Sequence, residues 1–277
     1  MTVSSRDRFA TVVRSTPIDL AEACLLVASE ADPELSVGEW LDALDELAAG
    51  IAAFLPDLPA PPVMLAESLR AYLGDKCGFA GEPADYTELR SSLLHEVLRR
   101  RRGLPILLSV VWLEVAKRAG IPAYGIGTPG HFLVAIGVPD DFVVVDPFSG
   151  GTLVDADDIA ALVEDAAGVP MHPGDLDPAT PVEILQRVLT NVRAGASRDP
   201  LNVEGARTSM WAIELSLLLP HHPLSLRREH GEALMRLGDF VRAADELDTY
   251  ADAAEATDPL AAEESRRLAR MSRSRLN

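Results

Sequence analysis

Cysteine is scarce in this sequence, which contains only Cys24 and Cys77 among its 277 residues. The two residues form no CxxC pair and no Cys/His spacing typical of zinc sites, and they provide no disulfide framework. No HExxH, GxxxxGKS/T or GxGxxG motif is present either. We therefore expect no metal site and no cofactor. Cys24 falls inside an apolar helical stretch, where a buried and chemically inert thiol is expected.

Long hydrophobic runs are also missing. The longest apolar stretch extends from Pro105 to Leu113 and includes Ser109, which is far short of the ~20 residues that a membrane span requires. Residues 1–16 contain no apolar segment of the kind found in signal peptides. We therefore expect a cytoplasmic protein with no membrane partner.

Basic residues are outnumbered, since 25 Lys and Arg stand against 43 Asp and Glu, for a net charge of −18. Nucleic-acid binding depends on clustered cations, so this balance predicts no nucleic-acid partner. One basic run exists, at residues 99–102. It is either the solvated end of a helix, where cations suit the helix dipole, or a patch for phosphate or an acidic partner. We favour the solvated helix end.

Hydrophobic periodicity divides the chain into three segments. Apolar residues recur at helical spacing in the first and last thirds, whereas the middle contains short extended runs. We therefore predict a helical N-terminal segment at residues 1–75, a core at 76–180 and a helical C-terminal segment at 181–277. A length of 277 residues suits one large domain or two modest ones.

The middle segment predicts a small sheet beside a buried helix. Residues 105–118 are nearly all apolar, and Pro105 suits the first helical position because its missing N–H is not needed there. Four extended runs with turn residues between them follow this helix, at 123–127, 131–137, 141–147 and 151–155. The predicted fold class is α+β, with an antiparallel sheet packed on the buried helix.

The C-terminal segment contains a predicted helical hairpin. Gly238 and Asp239 form its turn, and the small residues Ala243 and Ala244 permit close contact between the helices. The pattern resembles one tetratricopeptide unit. A single unit cannot form a solenoid, so we expect the hairpin to pack on other parts of the chain. No low-complexity tail is evident apart from the last ten residues.

Two polar residues mark the ends of the predicted strands. His131 opens the strand "HFLVAIG" and Asp146 closes the strand "DFVVVD". Papain-like and transglutaminase-like enzymes combine such a His and acid with a Cys at the N-terminus of a buried helix. The acid orients the imidazole, and the helix dipole and imidazole activate the thiol. A His beside an Asp also occurs as a satisfied core residue, so the pair alone does not establish catalysis.

The sequence resembles the bacterial SirB-type transglutaminase-like proteins. The resemblance rests on "RGLPILLSVVWLEVAKRAGIPAYGIGTPGHFLVAIG" and "VVDPFSGGTLV", and also on "IDLAEACLLVASE", "GFAGEPADY", "SSLLHEVLRRRRGLP", "ILQRVLTNVRA" and the C-terminal hairpin. It implies a transglutaminase/papain-like core flanked by helical segments, the last of them tetratricopeptide-like. It also implies that His131 and Asp146 are a dyad retained from a catalytic ancestor.

The nucleophile is missing from the expected position. In a transglutaminase the thiol follows the glycine that begins the buried helix, but here Gly103 and Leu104 are followed by Pro105. SirB-type proteins resemble one another in having proline there. Three alternatives remain open: Ser109 one turn along the same helix, Cys77 from its loop, or a His–Asp pair acting on water without any nucleophile.

Two hypotheses of function follow. The first is a non-catalytic transglutaminase-like protein, a pseudoenzyme that acts by protein or peptide binding. The second is a hydrolase or acyltransferase that uses Ser109 or Cys77 with His131 and Asp146. A Ser109 hydroxyl or Cys77 thiol within about 3–4 Å of a His131 ring nitrogen would favour the second hypothesis.

Overall fold

The computed structural model describes residues 4–57, 59–168, 170, 172–196 and 203–276. These residues fall into two compact units. Residues 17–188 form one unit, and the other combines the described residues before 17 with those from 189 onward. The predicted N-terminal segment, residues 1–75, spans parts of both units. Residues 17–75 belong to the same unit as the sheet, because their apolar helices supply part of that unit's buried core.

Four helices precede the core. They are α1 (Ser5–Val12), α2 (Leu20–Ala28), α3 (Val37–Ala49) and α4 (Pro62–Leu69). Asp19 caps α2 by accepting a hydrogen bond from the Glu22 amide at 2.9 Å, which satisfies one donor of the first turn. Every residue of α2 except Glu22 is buried, including Cys24, so the predicted burial of this thiol is confirmed. Ser36 lies at the N-cap of α3 but makes no side-chain capping bond.

The chain between α4 and the core is less regular than its sequence predicts. A π-helix at Arg70–Lys76 continues from α4, and two 3-10 turns, Pro83–Thr87 and Leu89–Ser92, precede the short helix α5 (Leu94–Arg100). Apolar residues recur at helical spacing over 88–101 and predict a helix there. It starts late because the Ser91 hydroxyl donates to Asp85 and the Ser91 carbonyl accepts from Leu104, which diverts this residue from helical pairing.

The basic run at 99–102 is a solvated helix end only at Arg99, whose side chain is 63% exposed. Arg100 is only 15% exposed and contacts the fully buried Asp85 carboxylate at 3.3 Å. Arg102 contacts the same carboxylate at 3.5 Å. Arg101 adopts a left-handed conformation, φ 61°, and lies 4.6 Å from the Phe79 ring centre. A buried carboxylate requires charged partners, and this run supplies them internally.

The sheet is a four-stranded antiparallel meander next to a long buried helix, which confirms the predicted α+β fold. The helix α6 spans Pro105–Arg118, begins at the proline as predicted and is buried over most of its length. The strands are β1 (Ala123–Thr128), β2 (His131–Val138), β3 (Asp141–Asp146) and β4 (Thr152–Val154), in that order across the sheet.

One side of the sheet is covered by α7 (Ala156–Ala167). Leu133, Ala135 and Val144 of the strands form a buried cluster with Ile159 and Val163 of this helix. These strand residues alternate with neighbours that point the other way, as the pleat requires. Burial on both sides fixes the register of β2 and β3, since a slip of one residue would reverse every side chain.

The other unit is helical. The helix α8 (Pro181–Ala196) contains the boundary between the units, and α9 (Val203–Leu218), α10 (Ser225–Leu237), α11 (Phe240–Ala254) and α12 (Pro259–Ser274) follow. Gly238, at φ 84°, ends α10, and Asp239 caps α11 by accepting from the Arg242 amide. Within the described ranges, no helix is both long enough and apolar enough to cross a membrane.

The last residues extend the helical unit. Most of the last ten residues, whose composition suggests a low-complexity tail, lie in α12. Ala269 of this helix packs against Ala244 and Leu247 of α11. Met210 and Ile213 of α9 pack against α10 and α11 from another side. The predicted hairpin is thus packed between neighbouring helices within its own unit.

The close approach of α10 and α11 generates a stability prediction at Gly231. A Cβ atom there would lie 2.6 Å from Leu247 Cγ and 3.2 Å from the Ala243 carbonyl oxygen. We predict that Gly231→Ala lowers the free energy of unfolding by about 1–3 kcal/mol through overpacking, as measured by urea denaturation. Gly195→Ala, where a Cβ meets nothing within 4 Å, should instead stabilise by up to about 1 kcal/mol. A stabilising Gly231→Ala would contradict the packing.

Glu214 in α9 generates a pH prediction. The nearby His230 ring, 3.8 Å away, and the Arg6 guanidinium, 2.5 Å away, lower the pKa of Glu214 to about 2 against the opposing effect of burial. A lowered folded-state pKa stabilises the fold above the ordinary value of 4.5, and the gain is lost as pH falls toward 2.

We therefore expect Glu214→Gln to be less stable than wild type at pH 7 and to lose less stability between pH 4.5 and 2, in urea titrations followed by circular dichroism. Glu263→Gln is the matched control, because it removes an exposed partner of Arg270 at 2.9 Å. Parallel acid curves for wild type and Glu214→Gln would refute this assignment.

Candidate functional site

The His131–Asp146 pair lies at the edge where β2 begins and β3 ends. The His131 ring nitrogen Nε2 is 2.9 Å from Asp146 Oδ1, so the imidazole donates to the carboxylate across adjacent strands. Both side chains are mostly buried, at 12% and 11% exposure. The contact expected from the sequence is therefore present. The register pairs Val134 with Val145, so His131 and Asp146 lie diagonally across the two strands.

Asp146 is held by more than the histidine. Its Oδ1 also accepts from the Phe148 amide at 2.9 Å, and its Oδ2 accepts from the Ser149 hydroxyl at 2.6 Å. Burial by itself would raise the pKa of Asp146, but His131, Ser149 and the Phe148 amide outweigh it and lower the pKa below its usual value. The carboxylate therefore stays ionised and keeps the imidazole oriented.

Two aromatic rings complete the surroundings of the pair. The Phe148 ring meets the His131 ring edge-on at 5.9 Å and the Tyr86 ring at 5.6 Å. Gly81 is required for this arrangement, since a Cβ atom there would lie 1.9 Å from Phe148 ring carbons. The Gly81 amide also donates to the Phe148 carbonyl at 2.8 Å. The loop before α5 is thereby fixed against the chain that follows β3.

Tyr86 connects the pair to a second charged group. Burial raises the pKa of the Tyr86 phenol, the Asp146 carboxylate raises it further, and the Arg187 guanidinium acts in the opposite direction. Tyr86 follows the buried Asp85 directly, so the carboxylate that binds Arg100 and Arg102 also positions this phenol. The Tyr86 residue is 42% exposed and therefore accessible to a ligand.

The structure gives the candidate nucleophile Ser109 another role. Its hydroxyl is fully buried and donates to the Phe132 carbonyl at 3.2 Å, joining α6 to β2. The acceptor belongs to the residue after His131, not to the helix that carries Ser109. No hydrogen bond links Ser109 to the His131 ring, although both are described. Pro105 occupies the first position of α6, where a thiol would have to stand.

Cys77, the other candidate nucleophile, lies just after the π-helix and is partly buried. It interacts with the Tyr72 phenol, whose pKa burial raises and the neighbouring thiol raises further. The structure shows no contact between Cys77 and His131. Burial, together with Glu114 and Asp19, raises the pKa of Cys24 well above its usual range, so this thiol is not available as a nucleophile.

Two residues were missed by sequence reasoning: Tyr86, whose ring contacts Phe148, and Arg187, whose guanidinium lies over Phe132. Neither belongs to a motif, and they lie 45 and 56 positions from His131 in the sequence. Arg187 falls in the second turn of α8, where a helical pattern predicts a solvated cation. Only the packing of α8 beside Phe132 brings this residue to the site, with its guanidinium carbon 5.8 Å from the ring centre.

The three partners of Asp146 generate a stability prediction. We expect Asp146→Ala to lower the free energy of unfolding by about 2–3 kcal/mol and His131→Ala by about 1 kcal/mol, because the carboxylate serves three donors and the imidazole one acceptor. The double variant should cost less than the sum, since the two side chains share a contact. Urea denaturation of the four proteins measures this. Additive losses would show that the pair is not energetically coupled.

Comparison with known proteins agrees with this geometry. The family model described as "Transglutaminase-like superfamily" matches residues 38–190, a range that includes α6, the sheet and both members of the pair. A UPF0162 protein of Xylella fastidiosa (strain 9a5c) is 32% identical over 245 residues, which cover 84% of this chain and 83% of the relative. A UPF0162 protein of Pseudomonas aeruginosa is 35% identical over 188 residues, covering 67% and 68%.

Two further similarities are narrower. F-box only protein 21 of Mus musculus is 32% identical over 93 residues, which are 31% of this chain and 15% of that protein. The solved structure described as "Crystal structure of menin reveals the binding site for Mixed Lineage Leukemia (MLL) protein" covers 90% of this chain and 70% of its own, with 10% identity and a TM-score of 0.36, which is too low to carry an argument. The family match, in contrast, spans more than half of the chain, and the chain therefore belongs to the transglutaminase-like superfamily.

Proposed function

We propose that this chain is a non-catalytic member of the superfamily that binds a protein or peptide at the His131–Asp146 pair. One observation carries the proposal: the orienting pair is intact, while the start of the buried helix holds Pro105 in place of an attacking group. A prolyl ring has no nucleophilic atom and no backbone N–H to donate. Such a site can hold a polar group of a ligand but has no means of forming an acyl intermediate.

The alternative is a hydrolase or acyltransferase that uses Ser109 or Cys77. The Ser109 hydroxyl is committed to the Phe132 carbonyl at 3.2 Å, and Cys77 interacts with Tyr72. Either group would have to break its present contact and move to the His131 ring before it could attack a substrate. These contacts favour the binding function over the enzyme.

The finer assignment within the superfamily is also part of this proposal. We place the chain among the SirB-type proteins and describe its C-terminal helices as tetratricopeptide-like. The support is the helical hairpin with its turn at Gly238 and the close contact between Gly231 and Leu247. Both cysteines are free thiols, which is consistent with the proposed location in the cytoplasm.

Thiol labelling tests the non-catalytic assignment. With iodoacetamide near pH 6, we predict slow labelling of Cys77 and slower labelling of the buried Cys24, because neither is activated by His131. His131→Ala should leave the Cys77 rate unchanged within about twofold. The readout is mass spectrometry of tryptic peptides. Rapid labelling of Cys77 that His131→Ala abolishes would instead support the enzyme.

Peptide capture tests the binding assignment. The wild-type protein is applied to an array of random-sequence peptides beside His131→Ala and, as a matched control, Cys77→Ser. We predict that spots bound by the wild type are retained by Cys77→Ser and weakened at least fivefold by His131→Ala. Mass spectrometry of the eluted peptides should show no cleavage. Cleaved or amide-exchanged peptides, or capture that is indifferent to His131, would overturn the proposal.

A further inference from the structure

Arg187 is a partly buried cation without an anionic partner in the part of the chain that the structure describes. Other partly buried arginines of the sheet-containing unit contact a carboxylate. Arg100 and Arg102 contact Asp85, and Arg118 contacts Asp45. Arg187 has only the face of Phe132, 5.8 Å from its guanidinium carbon. Burial lowers the pKa of Arg187, and the Tyr86 phenol acts against this effect. The guanidinium nevertheless stays charged.

The acidic residue nearest in sequence is already committed. Glu183 precedes Arg187 by one helical turn, a spacing at which the two side chains normally pair. The Glu183 carboxylate instead accepts from the Thr180 amide at 2.7 Å and from the Thr180 hydroxyl at 2.8 Å, which caps α8. The capping role holds Glu183 at the start of the helix and leaves Arg187 free to point elsewhere.

The guanidinium opens onto a cavity of about 420 Å³, within the usual range of ligand sites. Its walls come from β1, β2, α8 and the segment before α8. Ile126 forms a bridge with Pro178, and the Ala179 amide donates to the Gly125 carbonyl at 2.8 Å, which fixes this segment beside β1. The cavity is lined by Gly127, Phe132, Gly174, Asp177, Pro178, Ala179, Glu183 and Arg187.

The cavity and the dyad share strand β2. Phe132, which forms the cavity wall beneath Arg187, is the residue after His131, and consecutive side chains of a strand point to opposite faces. An atom at the Cβ position of Gly127 would be 3.7 Å from an Arg187 terminal nitrogen and 3.5 Å from the Phe132 ring, so the guanidinium lies close over the end of β1. Tyr86 lies close enough to both charged groups to be influenced by Asp146 and by Arg187.

We propose that Arg187 binds a carboxylate of the peptide ligand in this cavity, beside the His131–Asp146 pair. This inference rests on the proposed function and names the group that the site recognises. A guanidinium presents two parallel N–H donors that match the two oxygens of a carboxylate. Its apolar support, the Phe132 ring, strengthens the interaction by excluding water from one face. The carboxylate is a chain terminus or an acidic side chain.

The test is a nuclear magnetic resonance titration of the full-length protein, following the backbone amides of Gly127 and Phe132. The probes are N-acetyl-alanine for a terminal carboxylate, N-acetyl-glutamate methylamide for a side-chain carboxylate, the neutral N-acetyl-glutamine methylamide, and inorganic phosphate. We expect saturable shifts with at least one carboxylate, and none with the neutral amide. The carboxylate that binds more tightly identifies its source.

The variants separate a specific anchor from a general charge effect. Arg187→Gln should weaken carboxylate binding at least tenfold. Arg187→Lys keeps the positive charge but loses the two parallel N–H donors of the guanidinium, so it should weaken binding by less. Arg207→Gln is the matched control, because it removes one exposed arginine from α9 that contacts Glu204 at 3.3 Å. Its binding should equal that of the wild type. Circular dichroism establishes that each variant is folded, and Arg187→Lys serves if Arg187→Gln is not.

The possible results are distinct. Carboxylates that cause no shift, a response to phosphate alone, or an Arg187→Gln variant that binds like the wild type would each overturn the anchor. If peptide capture still depends on His131 in that case, the proposed binding function survives without it. If carboxylates bind through Arg187 while Cys77 proves to be activated by His131, the anchor stands and the non-catalytic assignment falls.

Discussion

The Asp146 carboxylate is the interaction on which the rest of the site depends. It ends β3, accepts from the amide that starts the next turn and receives the His131 ring, so a single side chain fixes a strand end, a turn and an imidazole. Because its partners outweigh the cost of burial, it stays ionised. A protonated Asp146 could not accept hydrogen bonds from all three donors at once, because one of its oxygens would carry a proton. The presence of the His131–Asp146 contact therefore does not require catalysis, since the structural role of the carboxylate alone explains it.

A second buried carboxylate, Asp85, also fixes the chain around it. Asp85 has no exposed surface and is balanced by two arginines of the basic run. Removing one partner of such a group leaves a charge without compensation, which is far more costly than the loss of a surface ion pair. The consequence for the site is positional, because Tyr86 is the next residue. The phenol whose pKa responds to Asp146 and Arg187 thus directly follows a carboxylate that two arginines hold in place.

The sequence was sufficient for the architecture because local signals and global packing agree there. The apolar run after Pro105 predicts a buried helix, and the apolar run after His131 predicts a strand. Both elements form in the structure. The segment at 88–101 departs from its helical pattern because Ser91 serves Asp85 and Leu104, both of which are contacts made across the chain. The dyad could be predicted since its members stand at the ends of adjacent strands. Arg187 could not, because its surroundings exist only after α8 is packed.

The overall charge of the protein constrains what Arg187 can bind. A net charge of −18 repels anions at long range, so a ligand with many negative groups would be disfavoured before it reached the cavity. A single carboxylate on an otherwise neutral or basic peptide suffers less of this repulsion, and its basic groups are attracted. Salt weakens both long-range effects but acts less on a partly buried pair beside the Phe132 ring. Recognition at this site is therefore a matter of local fit to one guanidinium, with the acidic surface selecting against polyanions.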